Sequence, residues 1–244
     1  MSSKTITIVQ APDNDNPFVV IYKPQSLASA PLHEGEDCAL TQAAELFPQI
    51  KTVHGKKEIE YGLLHRLDTE TEGLLLIATT QSAYDALSQS QASGLFIKNY
   101  HAFCDQILPD YEDGFSVCPF QINTGDLPQT VRITSRFRAY GKCGAQVRPV
   151  TEQNGTWQKK KASERLYTTD ITLTKGQDGI EAECTICNGY RHQVRCHLAW
   201  TGYPVQGDHI YNPSAKESDK GLAFKATSFS FPHPVTGQTV SFKA

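Results

Sequence analysis

The 244-residue sequence lacks the features that mark membrane and secreted proteins. No apolar run approaches the roughly 18 to 20 residues that a membrane-spanning helix needs, and the first ten residues lack the apolar stretch of a secretory signal. The seven cysteines are an odd number without a regular framework, which suits a reducing compartment. We therefore expect a cytoplasmic protein with free thiols and no membrane partner.

The sequence also has little net charge, because a value of −3 does not mark a nucleic-acid-binding protein. The charges are nevertheless uneven, since Glu152 is the only acidic residue from 127 to 163. The eight basic residues of this stretch, here called the basic segment, are Arg132, Arg136, Arg138, Lys142, Arg148, Lys159, Lys160 and Lys161. They form either a phosphate-facing surface or a solvated face balanced by acids elsewhere in the fold.

The apolar pattern predicts a mixture of strands and helices, without internal repeats, heptads or low-complexity tracts. Strands are predicted at 17–22, 74–78, 98–103, 166–173 and 180–186 and within 224–242, and helices at 39–47, 82–90 and 191–200. This order predicts an α+β fold with a mixed, mainly antiparallel sheet core and flanking helices and loops. We expect residues 1–16 to form an N-terminal tail and residues 17–244 to form one domain.

Asp68 is the first candidate for a chemical role. It lies in the segment 65–73, HRLDTETEG, which reads as a loop between two apolar runs and places His65 and Arg66 just before the carboxylate. A carboxylate beside two potential cations should be ionised and held in place, as a nucleophile or general base requires. The alternative is a structural role, as a surface ion pair or a turn cap.

The segment 189–197, GYRHQVRCH, is the second candidate. On a helix Arg191 and Arg195 share a face, as do His192 and Arg195, so cations and amides would point in one direction. Such a face can hold a carboxylate or a phosphate. An exposed polar helix surface would have the same pattern, so this alternative stays open.

Two further patterns indicate structural roles. Cys184 and Cys187 have the spacing of a zinc knuckle, but residues three apart on a strand face opposite ways and no turn residue separates them. His197 is expected to be satisfied by a hydrogen bond instead of binding metal. Asp208 follows a glycine in a turn-forming stretch, which favours a turn role over a catalytic one.

Taken together, the segments resemble the RluA-type pseudouridine synthases, in the same order along the chain. The family's His-Arg-Leu-Asp and Thr-Ser-Gly loop is similar to 65–73, its Lys-x-Tyr to 98–100, its Gly-Arg-x-His-Gln-x-Arg-x-His to 189–197, and its Gly-x-Pro-x-x-Gly-Asp-x-x-Tyr to 202–211. Tyr22-Lys23-Pro24 and His233-Pro234 also look like family features. The resemblance therefore runs from about residue 17 to the C-terminus.

The resemblance implies a pseudouridine synthase-like catalytic domain over 17–244 that isomerises uridine to pseudouridine in structured ribosomal or transfer RNA. It makes Asp68 the nucleophile or base, Tyr100 a pocket residue that takes part in proton transfer, and Arg195 the partner that keeps Asp68 ionised. The substrate-binding residues that it implies are His65, Arg66, Leu67, Arg191, His192 and Gln193. Arg66 would replace the flipped base in the RNA stack.

No cofactor and no metal are implied by the resemblance, and a monomer is expected. Sixteen residues before the catalytic domain cannot encode the small RNA-binding domain that many members carry, so target selection should rest on the catalytic domain or a partner. Two alternative functions are a catalytically inactive RNA-binding module of the same fold, and an unrelated acid-base hydrolase that uses Asp68 and His65.

Four positions depart from the family pattern. Glu72 stands where the family usually has serine, which adds a negative charge near Asp68. Tyr190 replaces an arginine, and Phe224-Lys225 replaces Leu-His. We expect Glu72 to point away from the substrate pocket.

Overall fold

The structure is a computed structural model in which the chain forms two compact units. The described residues are 4–107, 114–120, 122, 125, 127–177, 179–216 and 221–244. The terminal unit comprises Met1–Asn99 and Lys225–Ala244, and the central unit comprises Tyr100–Phe224. No helix within the described ranges is long and apolar enough to cross a bilayer.

Strands and helices alternate irregularly along the chain. The strands are β1 (Thr7–Gln10), β2 (Phe18–Lys23), β3 (Glu72–Ala78), β4 (Ile97–Cys104), β5 (Gln129–Tyr140), β6 (Gln146–Val150), β7 (Tyr167–Gly176), β8 (Gly179–Ile186), β9 (Phe224–Pro232) and β10 (Thr239–Lys243). The helices are α1 (Ala39–Leu46), α2 (Gln81–Ala92), α3 (Thr156–Lys160) and α4 (Gln193–Trp200). This content agrees with the predicted α+β class.

The terminal unit is built around β2 and β3, which pair antiparallel. β1 extends this pair on the β2 side, β9 joins β3 in parallel, and β10 pairs antiparallel with β9. Both central strands are apolar along most of their length because both of their faces are buried. α2 contributes Ala83 and Leu87 to the core that these strands form.

Gly73 of the Asp68 segment is required by the contact between β3 and β9. Its φ is +127°, and a Cβ at this position would collide with the carbonyl oxygen of Ala226. Glycine is the residue that adopts this backbone conformation without strain and permits this approach. It therefore holds the start of β3, just after the Asp68 loop, against β9.

The central unit contains a second antiparallel arrangement of strands. β5 pairs with both β6 and β7, and β8 pairs with β7. α4 packs against β6 and β7, and all eight of its residues are buried. Its polar side chains must therefore find protein partners, since an unpaired polar group is costly inside a protein.

Several elements differ from the sequence-based expectations. β1 lies inside the predicted tail, and β5, β6 and α3 arise in a stretch for which no element was predicted. The predicted start of the last helix at residue 191 was wrong, because His192 has a φ of +56° and α4 begins at Gln193. The division into a tail of residues 1–16 and a domain of residues 17–244 stays a prediction.

Candidate active site

The Asp68 loop of the terminal unit is fixed through the residue before the carboxylate. The Leu67 N–H donates to Ser29 Oγ at 3.0 Å, and Ser29 Oγ donates to the Leu67 carbonyl at 2.8 Å. Both residues are buried. After Asp68, its carbonyl accepts a hydrogen bond from the Thr71 N–H at 3.0 Å. The backbone on each side of the half-buried Asp68 is thereby held in a defined turn.

Lys23 is a fully buried cation at the same loop. Its ammonium group donates to the backbone carbonyl oxygens of Pro24, Leu27 and Thr69, at 3.0, 2.7 and 3.0 Å. Burial lowers the pKa of Lys23 to about 8, and the charges of the nearby acids Glu70, Asp68 and Glu72 oppose this shift. Lys23 therefore connects the end of β2 to the Asp68 loop through hydrogen bonds and charge.

His65 does not supply the cation expected beside Asp68. Its ring lies edge-on to Phe96 and Phe229, with centroids 5.2 and 5.8 Å away. Burial, with a smaller contribution from the charge of Lys98, holds the pKa of His65 well below its ordinary value, so the ring is neutral at neutral pH. The expectation of a charged His65 was wrong, while its role in substrate binding stays a prediction.

Arg66 reaches away from the loop toward a buried carboxylate. Its Nη1 donates to Glu60 Oε1 at 3.2 Å, and Lys57 Nζ lies 3.2 Å from the same oxygen. The Arg66 side chain remains 57% exposed. The wedge role of Arg66 is still a prediction, and this exposure is compatible with it.

Glu72 has a partner on the neighbouring strand. Burial, and then a hydrogen bond from the Tyr22 hydroxyl to the Glu72 carboxylate, raise the pKa of Tyr22. Glu72 is the first residue of β3, and Tyr22 lies on β2. The orientation of Glu72 relative to a substrate pocket stays a prediction.

Arg195 of the central unit forms a buried ion pair with Asp208. Arg195 Nε lies 2.7 Å from Asp208 Oδ2, and Nη2 lies 2.7 Å from Oδ1. Oδ1 also accepts hydrogen bonds from the backbone N–H groups of Ile210 and Tyr211, at 3.0 and 3.3 Å. The predicted turn role of Asp208 is confirmed, whereas its pairing with Arg195 was missed. The predicted pairing of Arg195 with Asp68 stays a prediction.

The residues around the start of α4 have separate partners. His192 Nδ1 lies 3.0 Å from the Tyr211 hydroxyl. The buried Gln193 amide donates to the Thr168 carbonyl at 2.9 Å and to Thr169 Oγ1 at 3.1 Å. The expected single helical face was wrong because His192 precedes the helix, and the substrate roles of both residues stay predictions.

Arg191 is held by the backbone at the start of β6. Its Nη2 donates to the carbonyl oxygens of Gly144 and Gln146, the latter at 3.0 Å. The Arg191 guanidinium therefore binds backbone carbonyl oxygens, whereas the Arg195 guanidinium binds the Asp208 carboxylate. The substrate-binding role of Arg191 stays a prediction.

Two departures from the family pattern, Phe224 and Tyr190, have a packing explanation. Phe224 stacks on the ring of Tyr100, which is buried on β4, with centroids 5.2 Å apart and planes 10° apart. Tyr190 stacks on Phe137 at 5.1 Å and 8°. Aromatic residues at 190 and 224 thus complete stacked ring pairs that arginine and leucine could not form.

His197 is a structural histidine, as predicted. Its Nε2 lies 2.9 Å from Ser135 Oγ and its Nδ1 lies 2.8 Å from Thr169 Oγ1. The ring is fully buried, and burial lowers its pKa from 6.5 to about 3. The imidazole is therefore neutral in the folded protein over the physiological range.

The burial of His197 predicts that the folded protein loses stability in acid. Because the pKa of His197 is lower in the folded than in the unfolded chain, its contribution to stability is complete above pH 6.5 and is lost as the pH falls toward 3. As the pH falls from 7 to 5, we expect the titration of His197 alone to lower the free energy of unfolding by about 2 kcal/mol. Urea unfolding of wild type, His197→Gln and the exposed-site control His33→Gln measures this. An equal pH dependence in all three proteins would contradict it.

The charges of the basic segment are partly balanced by acids. Arg132 lies 2.6 Å from Asp170, and Glu152 lies 3.6 Å from Arg136 and 3.2 Å from Lys159. Arg138 and Arg148 are buried, whereas Lys142, Lys160 and Lys161 are exposed. Most cations of the basic segment are therefore buried or paired with acids, as the second of its two interpretations expects. The three exposed lysines are the residues that could form a phosphate-facing surface.

Comparison with known proteins gives one consistent family. Residues 17–200 match the model of the RNA pseudouridylate synthase family. The chain is 26% identical over 183 residues to an uncharacterized RNA pseudouridine synthase of Bacillus subtilis, covering 75% of this chain and 51% of that protein. It is 27% identical over 236 residues to the dual-specificity RNA pseudouridine synthase RluA of Pasteurella multocida, covering 94% and 90%.

A solved structure has the same fold. Human RNA pseudouridylate synthase domain containing 1 superposes with a TM-score of 0.67 at 18% identity, covering 100% of this chain and 84% of that one. The predicted pseudouridine synthase-like fold is thus confirmed. The chain spans about half the length of the Bacillus relative, at 51%. With 17–200 matched by the family model, the chain belongs to the RNA pseudouridylate synthase family.

Proposed function

We propose that this protein is an RNA pseudouridine synthase, an isomerase that converts uridine to pseudouridine in structured ribosomal or transfer RNA. The observation that carries the proposal is the support of the Asp68 loop from both sides. Ser29 holds Leu67 before the carboxylate, and Lys23 holds Thr69 after it. A reactive group fixed by its neighbours needs little reorganisation during the reaction.

In this proposal Asp68 acts as nucleophile or base, Tyr100 takes part in proton transfer and Arg195 stabilises the ionised carboxylate. The bond between uracil N1 and the ribose C1′ breaks, the base rotates, and C5 bonds to C1′. The proton lost from C5 is matched by one gained at N1, so the reaction needs no oxidant or second substrate. The seven free cysteines support a reducing, cytoplasmic location.

The products distinguish this proposal from its alternatives. Purified protein is incubated with transcripts of ribosomal and transfer RNA, and pseudouridine, free uracil and strand breaks are quantified. The proposal predicts pseudouridine alone. RNA binding without product would support an inactive module, and free uracil or cleaved RNA would support a hydrolase. Both ring nitrogens of His65 are buried, and its lowered pKa keeps the ring from acting as a general acid at neutral pH, so His65 gives the hydrolase little support.

Ser29 offers a test of the loop support. Ser29→Ala removes the partner of both the N–H and the carbonyl of Leu67, so we expect kcat to fall on the order of ten- to a hundredfold with a smaller change in KM. Ser29→Thr, which keeps the hydroxyl, should recover part of this loss. Ser93→Ala, at an exposed site, serves as the matched control. A kcat for Ser29→Ala equal to that of the control would contradict the role.

A further inference from the structure

Trp157 is an exposed aromatic side chain that the proposed chemistry does not use. It lies on α3 and is 64% exposed. The other tryptophan, Trp200, is fully buried and donates its Nε1–H to the Ser116 carbonyl at 2.7 Å. Exposure by itself is common for single surface residues, so the surroundings of Trp157 decide its significance.

Trp157 ends a ladder of alternating rings and guanidinium groups. Arg138 lies over Trp157 at 5.8 Å and over Tyr140 at 5.0 Å from the ring centroids. Arg148 lies over Tyr140 at 4.3 Å and over Phe115 at 4.2 Å. Cation–π contacts of this kind fix the groups that make them. The indole is therefore supported from within the central unit while most of it faces solvent.

Exposed cations lie three and four positions after Trp157 in the chain. Lys160 and Lys161 are exposed at the end of α3, whereas Lys159 is paired with Glu152. Glu164 is the exposed acid nearest to them in the following sequence. A supported aromatic ring beside cations is the combination that binds unpaired nucleotides, because the base stacks on the ring and the phosphates meet the cations.

We propose that Trp157, with Lys160 and Lys161, binds an unpaired base of the RNA and its flanking phosphates. The inference rests on the proposed function, since the occupant is the RNA substrate. It adds a contact surface that the family motifs do not include. It also gives the exposed part of the basic segment a defined role.

Tryptophan fluorescence tests the stacking contact. Poly(U) is titrated into Asp68→Asn protein, and we expect quenching of Trp157 emission and protection of it from acrylamide, because Trp200 is buried and contributes a constant background. Trp157→Phe should remove this signal. Trp157→Ala should weaken poly(U) affinity by about 5- to 100-fold, and Trp157→Phe by less, since a phenyl ring still stacks.

Charge reversal tests the phosphate contacts. Lys160→Glu with Lys161→Glu should reduce the salt dependence of poly(U) binding, by about 0.7 in log–log slope for each phosphate that the variant no longer neutralises. Lys51→Glu, at an exposed site in the terminal unit, is the control and should change this slope little.

Three results would overturn the inference: bound poly(U) without a change in Trp157 fluorescence, full affinity in Trp157→Ala, or equal quenching by polyglutamate. Pseudouridine formation by wild type is measured separately. Product without quenching defeats this inference alone, whereas quenching without product defeats the proposed function and leaves the RNA contact supported.

Discussion

Asp68→Asn is expected to lower pseudouridine formation by at least about a thousandfold. The amide is similar in size to the carboxylate but can act neither as the nucleophile nor as the base. The supports of the loop lie on its backbone, at Leu67 and Thr69, so the substitution leaves them in place. RNA affinity should therefore change little. Single-turnover assays and binding measurements on the same RNA check both parts.

Glu70→Gln is the matched control for this substitution. Glu70 lies two residues from Asp68, is exposed, and accepts a hydrogen bond from Ser26 Oγ at 3.1 Å. The same chemical change at this position should leave turnover within about threefold of wild type. Comparable turnover in Asp68→Asn and wild type would show that Asp68 is neither the nucleophile nor the base.

Asp208→Asn is expected to lower the free energy of unfolding by about 3 to 5 kcal/mol, because it leaves the buried Arg195 cation without its charged partner. The side chains of Arg195 and Asp208 are only 7% and 0% exposed. The substitution should also reduce turnover, because Arg195 loses the carboxylate that orients it. Urea unfolding and single-turnover rates measure the two effects.

The Arg132–Asp170 pair provides a comparison with the same chemistry at the surface. Its side chains are 74% and 37% exposed, and Arg132 also binds the carboxylate through two nitrogen atoms. Asp170→Asn should therefore cost less than about 1 kcal/mol. Equal losses for Asp170→Asn and Asp208→Asn would show that burial of the Arg195–Asp208 pair has no special effect on stability.

The elements whose pattern is local were predicted from the sequence. The apolar run at 74–78 and the alternation within 224–242 correspond to β3 and to the β9–β10 pair. Residues 166–173 and 180–186 were predicted as paired strands and form β7 and β8. Such patterns depend on which faces of a strand are buried, and neighbouring residues carry that information.

The electrostatic surroundings of the site were harder to predict because distant residues determine them. His65 and Arg66 lie just before Asp68, which suggested a cation at residue 65, yet the His65 ring is enclosed by Phe96 and Phe229. Burial then outweighs the sequence neighbours and keeps the ring neutral. No local pattern could reveal these contacts.

The partner of Arg195 was missed for a similar reason. Asp208 lies 2.7 Å from Arg195 although it is 13 positions further along the chain. The Gly-Asp of the turn motif was the available signal, but it was interpreted as turn chemistry alone. The start of α4 was misplaced because His192 has a positive φ, which the pattern of apolar and polar residues does not indicate.

The most direct test of the central claim is pseudouridine mapping of total RNA from cells with and without the gene. Deletion should remove pseudouridine from one or more defined uridines, and expression of wild type should restore it. Expression of Asp68→Asn should not. An unchanged map after deletion, or full restoration by Asp68→Asn, would contradict the account.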